Sequence, residues 1–140
     1  MIVYCAMSIR GEKTFQHFFP EIVNHITSLG HTALSELNDN FKPAAPLTDT
    51  EIFSRDMKWI DKSKVLIAEI SCGSTGVGFE IAYSLYKKKI PVLALANKER
   101  MGKVSAMING CNSNLITVKY YEDSEELKKI LSNFLKKHNE

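Results

Sequence analysis

The side chains that could do chemistry are two acidic residues, one tyrosine and two short loops. Glu80 directly follows the small-residue run Gly73-Ser74-Thr75-Gly76-Val77-Gly78, which reads as a loop opening a helix over Phe79 to Lys88. In that first turn the helix dipole favours an acid by about 0.3–1 kcal/mol, which is reason enough for it to be there. The same field can also keep a carboxylate ionised inside a cleft, as a nucleophile requires. Asp56 lies four residues after Ile52 and four before Ile60, so a helix puts it on an apolar stripe beside Trp59. A carboxylate there costs free energy unless it is paired, hydrogen-bonded or protonated. It is either a structural partner for a backbone N–H or a lysine, or a proton donor whose pKa burial has raised. Tyr4, near the end of the first strand-like run, either packs or reaches a carboxylate with its hydroxyl.

Each loop also has two readings. Ser8-Ile9-Arg10-Gly11 offers a hydroxyl and a guanidinium two positions apart, able to face the oxygens of one phosphate, or it is a surface arginine at an ordinary turn. The run from Gly73 to Gly78, with Ser74 and Gly76 inside it, can turn backbone N–H groups toward a monophosphate, or it is a plain tight turn. It lacks the Lys-Ser/Thr ending of an ATP-binding loop and the G-x-G-x-x-G spacing of a dinucleotide site, so both of those lose support. Cys5 and Arg10 are separated by four residues, one short of a Cys-x5-Arg phosphatase loop. The histidines, at positions 17, 25, 31 and 138, have no metal-ligand spacing. Three scattered cysteines without a CxxC pair indicate reduced thiols and a cytoplasmic setting. Neither a metal nor a cofactor is expected, and Cys72 reads as a bystander thiol.

These residues need a frame to bring them together. Short apolar runs at Ile2 to Ala6, His31 to Leu34, Lys64 to Ile70, Pro91 to Ala96 and Leu115 to Lys119 read as strands. Helix patterns cover Thr14 to Leu29, Thr48 or Asp49 to about Lys62, Phe79 to Lys88, Val104 to Asn109 and Ser124 to Lys137. Pro20 either kinks the first helix or marks where its regular part begins. Strands alternating with helices imply an α/β fold, a doubly wound, flavodoxin-like parallel sheet of five strands in the order 2-1-3-4-5. Ligands then bind where the strand order reverses, between the loops after strands 1 and 3. Those are the two loops already singled out.

At 140 residues the chain has room for one domain, spanning 1–140. With 44% hydrophobic and 24% charged residues it is neither disordered nor fibrous. A formal charge of +2 makes no case for nucleic acid as a partner, and the lysine clusters at 87–89, 128–129 and 136–137 read as solvated helix faces. The weakly charged stretch from Val65 to Tyr86 contains Glu69, Glu80 and three glycines, so no membrane span is expected. The start of the chain enters a strand-like run with no basic leader or apolar signal core.

Taken together, the blocks Tyr4 to Gly11, Arg55 to Ile60, Ala68-Glu69-Ile70 with Gly73 to Glu80, and Ser105-Ala106-Met107-Ile108 resemble the 2′-deoxynucleoside 5′-phosphate N-hydrolases, relatives of the nucleoside 2-deoxyribosyltransferases. The resemblance runs nearly end to end. It implies hydrolysis of the N-glycosidic bond of deoxynucleoside monophosphates, a small-molecule substrate. It also implies that Glu80 attacks C1′ to form a glycosyl-enzyme, Asp56 protonates the departing base, and Tyr4 orients Glu80 and crowds the 2′ position. Ser8, Ile9, Arg10, Gly11, Ser74 and Gly76 would hold the phosphate end. Ser105 and Met107 would reach into the neighbouring site of a homodimer. One ionised and one protonated carboxyl is what a retaining glycosidase needs. The chain departs from the family pattern at Met7, Glu12, Leu37 and Phe79, which bears on the choice of base more than on the reaction. Two other functions compete: transfer of deoxyribose between bases, and a non-catalytic nucleotide sensor.

Overall fold

The computed structural model describes residues 1–8 and 14–139. Five strands, β1 (Ile2–Met7), β2 (Thr32–Leu34), β3 (Val65–Glu69), β4 (Val92–Asn97) and β5 (Ile116–Tyr121), form one sheet in the order β2-β1-β3-β4-β5. Every neighbouring pair is parallel. The expected strand order is therefore found, with the reversal between β1 and β3.

Side chains alternate across the sheet because successive residues of a strand point to opposite faces. Val3, Cys5, Val65 and Ile67 join the core formed by α1 (Phe18–Ser28) and α5 (Ser124–His138). Tyr4, Ala6, Leu66 and Ala68 join the other core, against α2 (Asp49–Lys62) and α3 (Thr75–Ala82), with the short α4 (Ala106–Asn109) at its margin. Strands buried on both faces explain the near-continuous apolar runs in the sequence.

Of the first three helices, α1 and α3 start away from the expected residues, and α2 starts where expected. The first helix begins at Phe18, preceded by turns over 14–17, and Pro20 sits in its opening turn, where no N–H bond is lost. It marks the start and does not kink the helix. The second helix starts with a capping box: the Thr48 hydroxyl accepts from the Glu51 N–H, and the Glu51 carboxylate accepts from the Thr48 N–H. Such a cap is worth about 1 kcal/mol. The third helix starts at Thr75, four residues before the expected Phe79, because the Ser74 hydroxyl accepts from the Val77 N–H and caps it. Gly76 and Gly78 thus belong to its first turn and not to a loop. Beyond Ala82 it widens into π-helical turns over Tyr83–Lys88 and ends at Lys89, whose φ of 55° lies in the left-handed region.

Candidate active site

A cavity of about 730 Å³ opens beside the C-terminal end of β1, between α2 and α3. Tyr4, Ser8, Asp56, Ser74, Gly76 and Glu80 all line it. Ile9, Arg10 and Gly11 lie outside the described residues.

Tyr4 is supplied by the middle of β1, not its end, and its inward face follows from strand alternation. Its hydroxyl donates a short hydrogen bond to the Glu80 carboxylate. Burial first, and then the charges of Glu80 and Asp56, drive the phenol well above its ordinary pKa, so it stays a proton-bearing donor. Glu80 stands in the second turn of α3, because the helix starts earlier than the sequence suggested, and no acidic residue occupies the first turn. The dipole account of this carboxylate therefore does not apply. Nor is the carboxyl held below its normal range. Burial pushes it up to about 7, with repulsion from Asp56 and Glu36 opposing the pull of the Tyr4 hydroxyl and of Arg55.

Asp56 faces the same cavity from α2, its side chain only 13% exposed. Its partner is neither a backbone N–H nor a lysine but the adjacent Arg55, which reaches it through Nε and Nη2, each at 3.0 Å. Arg55 also lies 3.5 Å from Glu36 and stacks its guanidinium 4.6 Å from the Trp59 ring centroid. Burial raises the Asp56 pKa despite the opposing pull of Arg55 and Tyr4. Two carboxyls with raised proton affinity therefore face one cavity, and Tyr4 interacts with both. With one of the two ionised and the other protonated, one oxygen can attack while another donates.

Ser8 is buried at the end of β1. Ser74 and Gly76 form the opposite wall, and a Cβ added at the neighbouring Gly73 would meet nothing within 4 Å. That open space, next to the first N–H groups of a helix, suits a ligand that approaches the backbone closely. Ser105 and Met107 do not line this cavity. They border a second one, of about 530 Å³, on the other side of α3, and Met107 is 84% exposed. Among the described residues no cluster of three His, Cys, Asp or Glu could hold a metal, and no helix is long and apolar enough to cross a membrane.

Arg55 and Glu36 were not identified from spacing. An arginine next to a stripe-facing aspartate was the available signal for the first; Glu36, in the turn after β2, gave none. The aromatic rim was missed as well. Phe53 and Phe79 are each more than half exposed, with ring centroids 6.0 Å apart at the cavity mouth.

The fold and the paired carboxyls narrow the molecule to a class, and comparison with known proteins gives the family. The sequence profile of the nucleoside 2-deoxyribosyltransferases matches residues 3–129. A Thermofilum pendens protein provisionally named 2′-deoxynucleoside 5′-phosphate N-hydrolase 1 is 36% identical over 133 residues, covering 93% of this chain and 92% of that one. The 5-hydroxymethyl-dUMP N-hydrolase of Esox lucius is 31% identical over 142 residues and covers 97% of each. The chain belongs to the nucleoside 2-deoxyribosyltransferase family and is an enzyme of N-glycosidic bonds. In fold it is similar to the Clostridium botulinum CMP N-glycosidase, with a TM-score of 0.70 at 13% identity, covering 94% of this chain and 99% of that one. It is also similar to a Bacillus psychrosaccharolyticus 2-deoxyribosyltransferase, with a TM-score of 0.66 at 20% identity, covering 90% and 89%.

Proposed function

We propose that the chain hydrolyses 2′-deoxynucleoside 5′-monophosphates to a free base and 2-deoxyribose 5-phosphate through a covalent glycosyl-glutamate. The observation that carries this reading is the Tyr4 hydroxyl bonded to Glu80 while Asp56 faces the same cavity. An ionised Glu80 oxygen attacks C1′ as the bond to the base breaks, and Asp56 gives its proton to the departing nitrogen. The resulting Asp56 carboxylate then takes a proton from water, whose oxygen attacks C1′ and frees Glu80. Retention of configuration follows from the two displacements. Tyr4 holds the Glu80 oxygen and is assigned to crowd the 2′ position, which would favour deoxyribose.

The phosphate is assigned to Ser8, Ser74 and the N–H groups around Gly76; Ile9, Arg10 and Gly11, outside the described residues, are assigned to it from the sequence alone. Phosphate held away from the reacting carbon supplies orientation, so substrates lacking it lose rate as well as affinity. Ser105 and Met107, on the far side of α3, are assigned to the corresponding cavity of a second copy in a homodimer. The setting proposed is the cytoplasm.

The test is release of free base from deoxy- and ribonucleoside monophosphates and from bare nucleosides, with a foreign base added in a parallel series. Release confined mainly to the deoxy monophosphates is expected. A new nucleoside formed from an unphosphorylated donor and the added base would instead make the chain a transferase. Binding without any release would make it a sensor.

A further inference from the structure

The face of the sheet turned toward α1 and α5 holds a carboxylate that this mechanism does not use. Glu69 ends β3 and is only 2% exposed. Both of its oxygens are engaged: the Ser71 N–H donates to Oε1 at 2.7 Å, while the Ser71 hydroxyl at 2.8 Å and the Tyr121 hydroxyl both donate to Oε2. Ser71 is tied down in turn. Its Oγ accepts from the Asn97 N–H at 2.8 Å, and its carbonyl accepts from Arg100 Nε at 2.9 Å. One peptide is thereby anchored to the ends of β3, β4 and β5. Two residues further on, Gly73 and Ser74 enter the wall of the substrate cavity, whereas neither Glu69 nor Tyr121 lines it.

We infer that Glu69 is a positioning residue: by fixing the Ser71 peptide it aims the Gly73-Ser74 turn, and with it the first N–H groups of α3, at the phosphate of the substrate. The inference rests on the phosphate contact proposed above. A buried carboxylate is a costly filler for a core that an apolar residue of similar volume would fill as well or better. What it adds is direction, because a peptide bonded at its N–H, its hydroxyl and its carbonyl has one place to sit. Gly73 has open space around it, and Ser74 is engaged by the Val77 N–H at 3.2 Å. Donors that must meet an anion without rearranging need such a supporting layer.

The experiment is an NMR chemical-shift titration of the full chain with 2-deoxyribose 5-phosphate and, separately, with 2-deoxyribose. Glu69→Gln keeps the shape but replaces an acceptor with a donor. It is expected to raise the Kd for the phosphorylated sugar about tenfold, as displaced donors do, and to leave the bare sugar unchanged. Ser71→Ala should do the same, and the double variant should be no worse than either single one, since the effect runs through one peptide. Equal weakening of both sugars, no change for either, or additive losses would overturn the inference. If Glu69→Gln does not fold, Tyr121→Phe removes a single donor and should weaken the phosphorylated sugar alone, about threefold; no selective effect there also overturns it. Wild type that binds the sugar phosphate but releases no base defeats the hydrolase reading and leaves this one standing. Wild type that binds neither sugar defeats both.

Discussion

Each face of the sheet carries a tyrosine hydroxyl bonded to a glutamate, and the two pairs have little else in common. On the α1/α5 side, Tyr121 and Glu69 are sealed in, and the carboxylate accepts three hydrogen bonds from Ser71 and the tyrosine. On the α2/α3 side, Tyr4 and Glu80 face a cavity, and Glu80 has one hydrogen-bond donor among the described residues, a neighbouring acid and a pKa lifted to about 7. Burial raises both carboxyls. What separates them is access and the second acid. A tyrosine–carboxylate contact is therefore not itself a catalytic signature; an under-satisfied one beside a protonatable partner is.

The largest effect that would break this contrast is at Glu80. Glu80→Gln should lower base release by about 10⁴-fold or more, measured under single-turnover conditions, and should abolish trapping of a glycosyl-enzyme in denatured samples. The same change relieves a buried charge. Because the folded state holds this proton more tightly than the unfolded chain, wild-type stability falls as pH rises through about 7. Glu80→Gln should melt about 4 °C above wild type at pH 8, and the gap should close below the ordinary glutamate range. Next comes Asp56→Asn, expected to cost about 10²–10³-fold in kcat. Its deficit should shrink for nucleotides whose base leaves without needing a proton, so a uniform loss across leaving groups would remove Asp56 as the donor.

Tyr4→Phe sharpens the comparison with a smaller effect. The Tyr4 hydrogen bond lowers the Glu80 pKa, so removing it should move the acidic limb of kcat/KM upward from about 7 by ~1 pH unit, with a ~10-fold loss at neutral pH. Tyr121→Phe, across the sheet, should leave that limb where it is. A limb moved by both variants would erase the distinction between the two faces.

Much of the frame was legible because parallel strands buried on both sides write themselves as apolar runs. Thr48, one of the two caps the sequence offers, marks the start of α2, and the structure adds Glu51 to it. The start of α3 is not legible, because Gly76 and Gly78 read as loop residues. Glycine is weak in helix interiors, but here the Ser74 hydroxyl sets the boundary, and the glycines fall within the first turn. That displacement carried Glu80 one turn deeper into the helix and reversed the account of its charge. The Glu69 network was hidden for another reason. Its donors come from Ser71 and Tyr121, 2 and 52 residues away in sequence. The one visible clue was an acid inside an otherwise apolar strand.

The arginine stacked on Trp59 has a consequence for which way round a nucleotide enters. Arg55 lies against Glu36 and Asp56, while Glu80 stands opposite without a cation of its own among the contacts described. Three acids and one base leave that wall electronegative. On the proposed reading, a doubly charged tail would be turned back from it and drawn toward the amide-lined end, so the heterocycle would come to rest against the acids before any contact discriminated between one base and another.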